Sequence, residues 1–363
     1  MKNLFVYKPL LIFLLLFLLD KIFLFPPVNR IILPWKKFEP AIYASREDLF
    51  AILKIHHNEN KHPHTGLILG SSRSAWFSAA EIEKQRPFSR SYNFSAPLAN
   101  PAWHYFWLER ILQAKIKPSF VILEADFLLF SEVSSRMPLS YSFDPGFMLS
   151  HIAMADNGGF STVELEMYFA KNLFALYRYP LDISSVRGNL KKSPFLEKGK
   201  IVYYPAWHYH DILHELITDA NRNRYGSIVT PFHTVMQPQD DEKESDKAFS
   251  HLLLDRFHAT ASQIYFFNKL LHRLAQENIP VFLYKPPMSP GFNKKLQQNR
   301  KIQEFDKKLN GYVSTVKAEY PQARIFYSDL NEKGSMQCQQ FNDPYHITGN
   351  CFAEMTRIIL KTE

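Results

Sequence analysis

Short apolar runs alternate with longer amphipathic segments in two parts of the chain, 65–126 and 250–361. The short runs have the length of buried strands, and the longer segments repeat their apolar positions with the period of a helix. Strands and helices that alternate at these lengths form βαβ units, so we predict an α/β protein with a mostly parallel sheet. Five strands are predicted, at 67–69, 91–95, 120–123, 281–284 and 324–327.

The alternation stops between 131 and 250, where helical pieces are separated by aromatic-rich loops such as 203–209. This stretch is predicted to be a mainly helical insertion or cap on the sheet domain. Ser45 is the predicted N-cap of the first helix, and 28–40 is predicted to be a connector. Helices are predicted at 45–55, 75–84, 102–114, 162–177, 209–219, 250–277, 299–319 and 348–361.

The start of the chain is apolar from Leu4 to Phe25, with Lys2 and Lys8 ahead of its densest run. About twenty helical residues cross the hydrocarbon core of a bilayer. No Ala-x-Ala cleavage site follows, so an uncleaved signal anchor is predicted, with a cleaved signal peptide as the alternative. Asp20 and Lys21 interrupt the run near its far end, close enough to reach the membrane interface. The early lysines favour a cytoplasmic N-terminus, so the remainder is predicted to face the periplasm or exterior.

The composition is that of a folded protein, because 46% of the 363 residues are hydrophobic and 15% are aromatic. This length suits one large domain that carries an insertion. The predicted organisation is a membrane anchor (1–27), a connector with a first helix (28–64) and a catalytic domain (65–363), which the insertion (131–250) interrupts.

The formal net charge of +8 indicates affinity for anionic surfaces, such as lipid headgroups or acidic polymers. The basic residues are spread along the chain, which favours solvated faces over a nucleic-acid site. The sequence contains no zinc-finger spacing, Walker loop or dinucleotide fingerprint. The histidine-rich stretch 56–64 is interpreted as a solvated loop, with metal binding as the alternative. We therefore predict no cofactor, no metal and no nucleic-acid partner.

The chain has two cysteines, Cys338 and Cys351, which lie thirteen positions apart. In an oxidising compartment they are predicted to form a disulfide, which would contribute ~3 kcal/mol by closing a small loop. The alternative is two unrelated buried thiols.

Two short motifs carry the candidate chemistry. The first is the turn Gly70–Arg73 (Gly-Ser-Ser-Arg), directly after the first predicted strand. Such a turn stands at the carboxyl edge of the sheet, where α/β proteins bind ligands, and its glycine is expected to let the backbone turn sharply. The second motif places Asp343 three residues before His346, on a loop ahead of the last helix. A nucleophilic serine needs a base to take its proton and an acidic partner that orients this base.

A Gly-x-Ser turn after the first strand, combined with Asp-x-x-His before the last helix, resembles the SGNH/GDSL hydrolase superfamily. The resemblance covers about 65–126 and 281–360 and implies a flavodoxin-like three-layer sandwich. It also implies a triad in which Ser72 attacks an acyl donor, His346 is the general base and then acid, and Asp343 orients His346. The amide of Ser72 would donate a hydrogen bond to the oxyanion.

Two of the four family blocks are degenerate in this sequence. The second block, at 92–96, lacks the glycine of the oxyanion hole, and the third, at 123–126, lacks its asparagine. The second oxyanion donor is therefore predicted to be Asn93, or the amide of Ser95 or Ala96.

Three charged residues near these blocks are further candidates. Arg73 is predicted to bind a carboxylate or phosphate on the substrate, with an ordinary surface role as the alternative. Asp126 is a candidate for lining the site, as is Glu124, and local backbone capping is the alternative for both.

The Gly-Ser-Ser turn and the anchor resemble the membrane-anchored SGNH-like branch, which includes the D-alanyl transfer protein of lipoteichoic acid modification and the alginate O-acetylation proteins. The leading hypothesis is an extracytoplasmic acyltransferase or esterase that acts on O-acyl groups of an envelope glycan, beside a membrane-bound O-acyltransferase partner. The alternative is a non-catalytic accessory protein that binds a glycan or that membrane partner. A soluble lipase-like esterase is disfavoured by the anchor. The choice between transfer and hydrolysis depends on water exclusion, which the sequence does not reveal.

Overall fold

The computed structural model describes residues 4–32, 39–62, 64–153, 158–179, 181–197, 200–205, 209–228, 235–332 and 334–361. The helices are α1 (Leu4–Lys21), α2 (Pro26–Ile32), α3 (Glu39–Asn58), α4 (Ala79–Gln85), α5 (Pro101–Gln113), α6 (Glu132–Tyr141), α7 (Pro145–Ser150), α8 (Thr162–Leu173), α9 (Ala175–Arg178), α10 (Ile183–Leu190), α11 (Tyr209–Asn223), α12 (Asp241–His251), α13 (Ala261–Gln276), α14 (Pro290–Gln298), α15 (Arg300–Glu319) and α16 (Phe352–Leu360). The strands are β1 (His64–Leu69), β2 (Ser89–Asn93), β3 (Phe120–Glu124), β4 (Lys192–Glu197), β5 (Lys200–Pro205), β6 (Val281–Lys285), β7 (Ile325–Asp329), β8 (Phe341–Asp343) and β9 (His346–Ile347).

Five strands form one parallel sheet in the order β2-β1-β3-β6-β7. The prediction of an α/β protein with a five-stranded parallel sheet is confirmed. Counted along the chain, the strand order is 2-1-3-4-5, which is the order of flavodoxin-like doubly wound sheets. In such sheets ligands bind beyond the carboxyl ends of the strands, at the point where the order reverses. Here that point lies between β1 and β3.

The sheet is buried on both faces. Leu67 and Ile68 point to opposite faces of β1, and neither is accessible to solvent. On one face, α4 and α16 pack over the sheet through a cluster that includes Ile68, Ile122, Ile82 and Met355. Strands buried on both faces carry continuous apolar runs, which explains why these segments were recognisable in the sequence.

The helices near the N-terminus depart from the prediction. α3 begins at Glu39, so Ser45 lies inside this helix, where its hydroxyl donates to the Ile42 carbonyl at 2.8 Å instead of capping the start. Part of the predicted connector forms the helix α2, and the rest, 33–38, lies outside the described residues. Ile42 is buried, and its burial favours a helix that extends beyond the polar cap signal.

Close contacts divide the chain into two compact units. The first comprises 1–41 and 162–216, and the second comprises 42–161 and 217–363. The predicted insertion (131–250) is therefore divided between them. It is mainly helical, but β4 and β5 form an antiparallel hairpin that extends into the predicted aromatic loop. The β-branched and aromatic residues at 201–204 favour a strand there, and 206–208 lie outside the described residues.

No helix in the described part of the chain is both long and apolar enough to cross a membrane. The transmembrane helix predicted within 1–27 is therefore not supported. Its apolar run forms α1, which includes Lys8 and Asp20 and ends at Lys21.

Candidate active site

The serine turn joins β1 to a short 3-10 turn that spans Ser72–Ser74. Ser71 caps this turn, since its side chain accepts a hydrogen bond from the Arg73 amide at 3.3 Å. Gly70 is required by close approach, because a Cβ atom there would lie 1.9 Å from Ser74 Oγ and 2.7 Å from Glu124 Oε2. The glycine at position 70 is therefore explained by side chains that pack closely over its backbone, and not by the sharp turn expected from the sequence.

Ser72, His346 and Asp343 form a continuous chain of hydrogen bonds. Ser72 Oγ lies 2.8 Å from His346 Nε2, and His346 Nδ1 lies 2.7 Å from Asp343 Oδ2. The serine is at the carboxyl edge of the sheet and is half-buried, so its hydroxyl is open to a ligand. This geometry lets the imidazole accept the serine proton while the carboxylate holds the other ring nitrogen.

Asp343 is fixed by two backbone amides in addition to the imidazole. Its Oδ1 accepts hydrogen bonds from the amides of Tyr345 and His346, both at 3.0 Å. Burial opposes ionisation of this carboxyl, but the attraction of His346 and these hydrogen bonds outweigh burial, so the pKa of Asp343 lies below its usual value. The carboxylate is therefore charged at neutral pH and can stabilise an imidazolium.

The loop that carries Asp343 and His346 is closed by two constraints. β8 and β9 pair around it, with Asp343 opposite His346. The predicted disulfide between Cys338 and Cys351 is confirmed, and it joins the two flanks of this loop. The base and its orienting acid are thus held on a short cross-linked segment.

A buried charged cluster lies beneath the serine turn. The Arg73 guanidinium contacts Glu124 Oε1 at 2.6 Å and binds both oxygens of Asp126, one of them at 2.8 Å. Both carboxylates are fully buried, and Arg73 is 5% exposed. Burial alone would lower the pKa of Arg73, but the charges of Asp126 and Glu124 raise it above its usual value. Arg73 is therefore a permanent cation.

Glu124 holds several donors of the serine turn. It accepts hydrogen bonds from the Ser71 amide at 2.8 Å, from the Ser71 hydroxyl at 2.7 Å and from the Ser74 hydroxyl at 2.5 Å. Ser74 Oγ also lies 2.5 Å from the Tyr284 hydroxyl, and burial together with the charge of Glu124 raises the pKa of Tyr284 well above its usual value. One carboxylate thus fixes the residues on both sides of Ser72.

The amides next to Ser72 are already used, because Arg73 and Ser74 donate to Ser71. The first amides of a helical turn have no acceptor within the turn, and that of Ser72 has none elsewhere among the described residues. It is therefore free to donate to an oxyanion.

The family model described as "Protein of unknown function (DUF1574)" matches residues 1–362. The chain belongs to the DUF1574 family. No curated protein matches the sequence.

In this DUF1574 protein, the residues of the second block (92–96) form hydrogen bonds with nearby backbone groups. Asn93 donates to the carbonyls of Ser74 at 2.8 Å and Ala75 at 3.2 Å, and its oxygen accepts from the Ser95 amide at 3.0 Å. The Ala96 amide donates to the Gly70 carbonyl at 3.3 Å. All three predicted second donors therefore have protein partners that hold the end of β2 against the serine turn.

The other predicted charged residues lie below the site. Arg73 directs its guanidinium into the protein, toward Glu124 and Asp126. Asp126 also caps the next turn, since it accepts from the Leu128 amide at 2.9 Å. Asp126 Oδ1 accepts from both the Leu128 amide and Arg73, whereas Glu124 accepts from the Ser71 amide with Oε2 and from Arg73 with Oε1.

One contribution to the site had only a weak signal in the sequence, at Gly226. Residues 225–228 lie within the predicted insertion, yet the Tyr225 carbonyl accepts from the Asn93 amide at 2.8 Å, and the Ile228 amide donates to the Ala75 carbonyl at 2.9 Å. Gly226 has a φ of +87°, and a Cβ there would lie 2.4 Å from the Asn93 carbonyl oxygen. Only the glycine itself, preceded by a tyrosine, hints at this turn.

The histidine-rich stretch is partly helical. His56 belongs to the last turn of α3, and its Nδ1 lies 2.8 Å from the Tyr92 hydroxyl. His62 packs edge-on against Tyr225, with ring centres 6.0 Å apart. Within the described residues, no group of three or more histidine, cysteine or acidic side chains is placed to hold a metal ion.

Proposed function

We propose that the protein is a serine acyltransferase or esterase that acts on O-acyl groups of a cell-envelope glycan or polymer. The observation that carries this proposal is the hydrogen-bonded chain from Ser72 through His346 to Asp343. Three residue types in this order, with the serine at the ligand-binding edge of a parallel sheet, suit nucleophilic acyl transfer.

In the proposed reaction, Ser72 Oγ attacks the carbonyl carbon of an ester while its proton passes to His346 Nε2. The Ser72 amide donates to the oxyanion, an interaction type worth about 3 kcal/mol in such enzymes. Collapse of the intermediate breaks the ester bond, and the leaving alcohol takes the proton from His346. An acceptor hydroxyl or water then attacks the acyl-serine, gives its proton to His346, and leaves the acyl group on the acceptor as Ser72 is reprotonated.

We assign this fold and site to the SGNH-like class. The 2-1-3-4-5 strand order, the Gly-x-Ser turn after β1 and the Asp-x-x-His loop before α16 support that assignment. The departures in the second and third blocks have a structural counterpart. Within these two blocks, Asn93 and Glu124 form hydrogen bonds that brace the serine turn.

We further propose that the protein works outside the cytoplasm and is attached to a membrane through α1. The confirmed disulfide supports an oxidising compartment. The exposed leucines of α1, such as Leu10 and Leu16 at 63% and 60%, support burial in lipid. A membrane-bound O-acyltransferase is the partner that this setting suits, as the supplier or receiver of the acyl group.

A second candidate function is a non-catalytic protein that binds a glycan or a membrane partner. One observation favours it, which is that Asn93, the Ser95 amide and the Ala96 amide are all engaged within the protein. A site with a single free oxyanion donor is a weak catalyst until its substrate or partner supplies another.

Labelling with a fluorophosphonate probe tests the two candidates. The full chain in detergent is compared with Ser72→Ala and with Ser78→Ala, a nearby partly exposed serine whose side chain caps nothing. Labelling of the wild type and of Ser78→Ala, but not of Ser72→Ala, supports an activated nucleophile. A folded wild-type protein that takes no label contradicts the enzymatic proposal and favours the binding function.

A further inference from the structure

The first unit exposes an unusual amount of apolar surface. The exposed apolar side chains of α1 range from 47% at Leu19 to 63% at Leu10, and Asp20 and Lys21 end the run. An exposed apolar surface of this kind marks a protein or membrane contact. The structure adds a second element to this surface.

Residues 173–178 are fastened to the end of α1 by a buried carboxylate. Asp20 is 7% exposed, and it accepts hydrogen bonds from the amides of Ala175 at 2.6 Å and Leu176 at 2.8 Å. Lys21 donates to the Leu173 carbonyl. These contacts use the backbone of 173–176, and the side chain of Tyr177 in α9 is 56% exposed.

The helix that follows this segment, α10, is fastened to α2. The buried side chain of Asn189, in α10, donates to the Ile31 carbonyl at 2.7 Å. Two buried polar contacts therefore hold 175–176 beside the end of α1, through Asp20, and residue 189 beside the end of α2, through Asn189.

The outward surface of this segment has the composition of a membrane interface. It is apolar at several exposed positions, with Ile183 at 71% and Tyr177 at 56%, and it ends in the exposed pair Lys191 and Lys192. Between 173 and 192 the sequence has four basic residues and one acidic residue. Aromatic and aliphatic side chains interleaved with lysine and arginine suit an anionic bilayer surface, because the apolar groups enter the headgroup region and the cations pair with phosphate.

We propose that residues 173–179 and 181–192 lie on the surface of an anionic lipid bilayer, beside the end of α1. This inference rests on the proposed membrane attachment through α1 and adds a second contact from a distant part of the sequence. The negative headgroups of an anionic bilayer match this excess of basic residues. The segment and α1 together form a two-part attachment that fixes the orientation of the first unit at the membrane.

Single-cysteine labelling tests this proposal cleanly, because both native cysteines are in the disulfide. An environment-sensitive fluorophore is attached to the full chain as Ile183→Cys, Leu14→Cys or Phe88→Cys. Phe88 is a matched control, since it is 77% exposed and belongs to the second unit. The protein is reconstituted with vesicles of phosphatidylcholine and phosphatidylglycerol, with and without a nitroxide-labelled lipid.

We expect blue-shifted emission and nitroxide quenching at positions 14 and 183, and neither at position 88. A response at 14 without one at 183 overturns the surface contact while leaving the attachment intact. No response at either position overturns both. Equal responses at all three positions indicate general adsorption and also overturn the proposal.

Charge reversal provides a second measurement. Lys191→Glu combined with Lys192→Glu is expected to reduce quenching at position 183 in vesicles with phosphatidylglycerol, and to leave quenching at position 14 unchanged. Unchanged quenching at both positions in these vesicles contradicts the role assigned to anionic headgroups.

Discussion

The two chain segments that meet in the candidate site are held in different ways. The serine turn rests on buried charges, since Arg73 is 5% exposed and Glu124 is fully buried. The histidine loop is more open, with the side chain of Asp343 41% exposed and that of His346 26% exposed. A disulfide and a short strand pair hold this loop in place of buried ions.

This difference follows from the chemistry that each segment is proposed to perform. In the proposed mechanism, the imidazole gains and loses a proton in each turnover, which is easier where water can solvate both forms. The serine oxygen must stay in one position, and hydrogen bonds to charged groups in a dry environment hold a turn more firmly than neutral ones. Variants of the two segments test whether the position of Ser72 depends on the buried charges and whether that of His346 depends on the disulfide.

The largest expected effect is on stability, from Glu124→Gln. This change leaves Arg73 buried with only one carboxylate partner. It also replaces the carboxylate that accepts hydrogen bonds from Ser71 and Ser74 with a side-chain amide. Loss of a buried ion-pair partner costs about 3–5 kcal/mol. Urea unfolding measures the loss.

The control for this prediction is Glu81→Gln, which removes the exposed Lys84 ion pair and should cost no more than about 1 kcal/mol. Similar losses in the two variants would show that the buried cluster contributes no more than a surface pair.

The next effect is expected from removing the disulfide with Cys338→Ala and Cys351→Ala together. A cross-link that closes a loop of 13 residues contributes ~3 kcal/mol. The histidine loop should loosen, so labelling of Ser72 should fall as well. Wild-type protein treated with dithiothreitol should match the double variant. A double variant that labels at the wild-type rate would show that β8 and β9 alone position His346.

Gly70→Ala should have a smaller effect that is confined to the serine turn. The added Cβ would displace Ser74 Oγ and Glu124, and such overpacking costs about 1–3 kcal/mol. Labelling of Ser72 should fall with it. The matched control is Gly311→Ala in α15, where no atom lies within 4 Å of the added Cβ, and it should stabilise the helix by about 0.5–1 kcal/mol. If both variants are destabilised alike, close packing at Gly70 is not the cause.

The smallest effect is a pH dependence that arises from Asp343. Because its folded pKa is below the ordinary value of 3.8, the unfolded state binds this proton more readily. The stabilisation is complete above that ordinary value and is lost as the pH falls through the lower folded pKa. The difference in unfolding free energy between wild type and Asp343→Asn should therefore shrink below pH 3.8. A difference that stays constant at lower pH would argue against the ionised pair.

The sequence was informative where local pattern decides structure. The strands around Ile68 and Phe282 are buried on both faces, so their apolar runs were visible without a partner. The spacing of Asp343 and His346 is also local, because one tight loop places both side chains together. The pairing of Ser72 with His346 was not local and came from the resemblance.

The sequence was uninformative where a residue depends on distant contacts. The sequence around Arg73 is compatible with a side chain that faces a substrate and with one that pairs with two buried carboxylates. Only the fold shows that the second arrangement is present. Asn93 was predicted to face the oxyanion, but the turn at Gly226 lies against its backbone and its side chain holds the serine turn. Asp20 was expected at a membrane interface, whereas tertiary contacts bury it against 175–176.

The hydrogen bond between Ser72 and His346 joins residues 274 positions apart. During synthesis the chain therefore carries the hydroxyl long before it carries the imidazole, and β1 can form well before β9 exists. A nascent or truncated chain holds an ordinary, unactivated serine. In the proposed mechanism, reactivity toward esters requires the last strand pair, so the appearance of activity would report completion of the whole fold and would spare cellular esters until then.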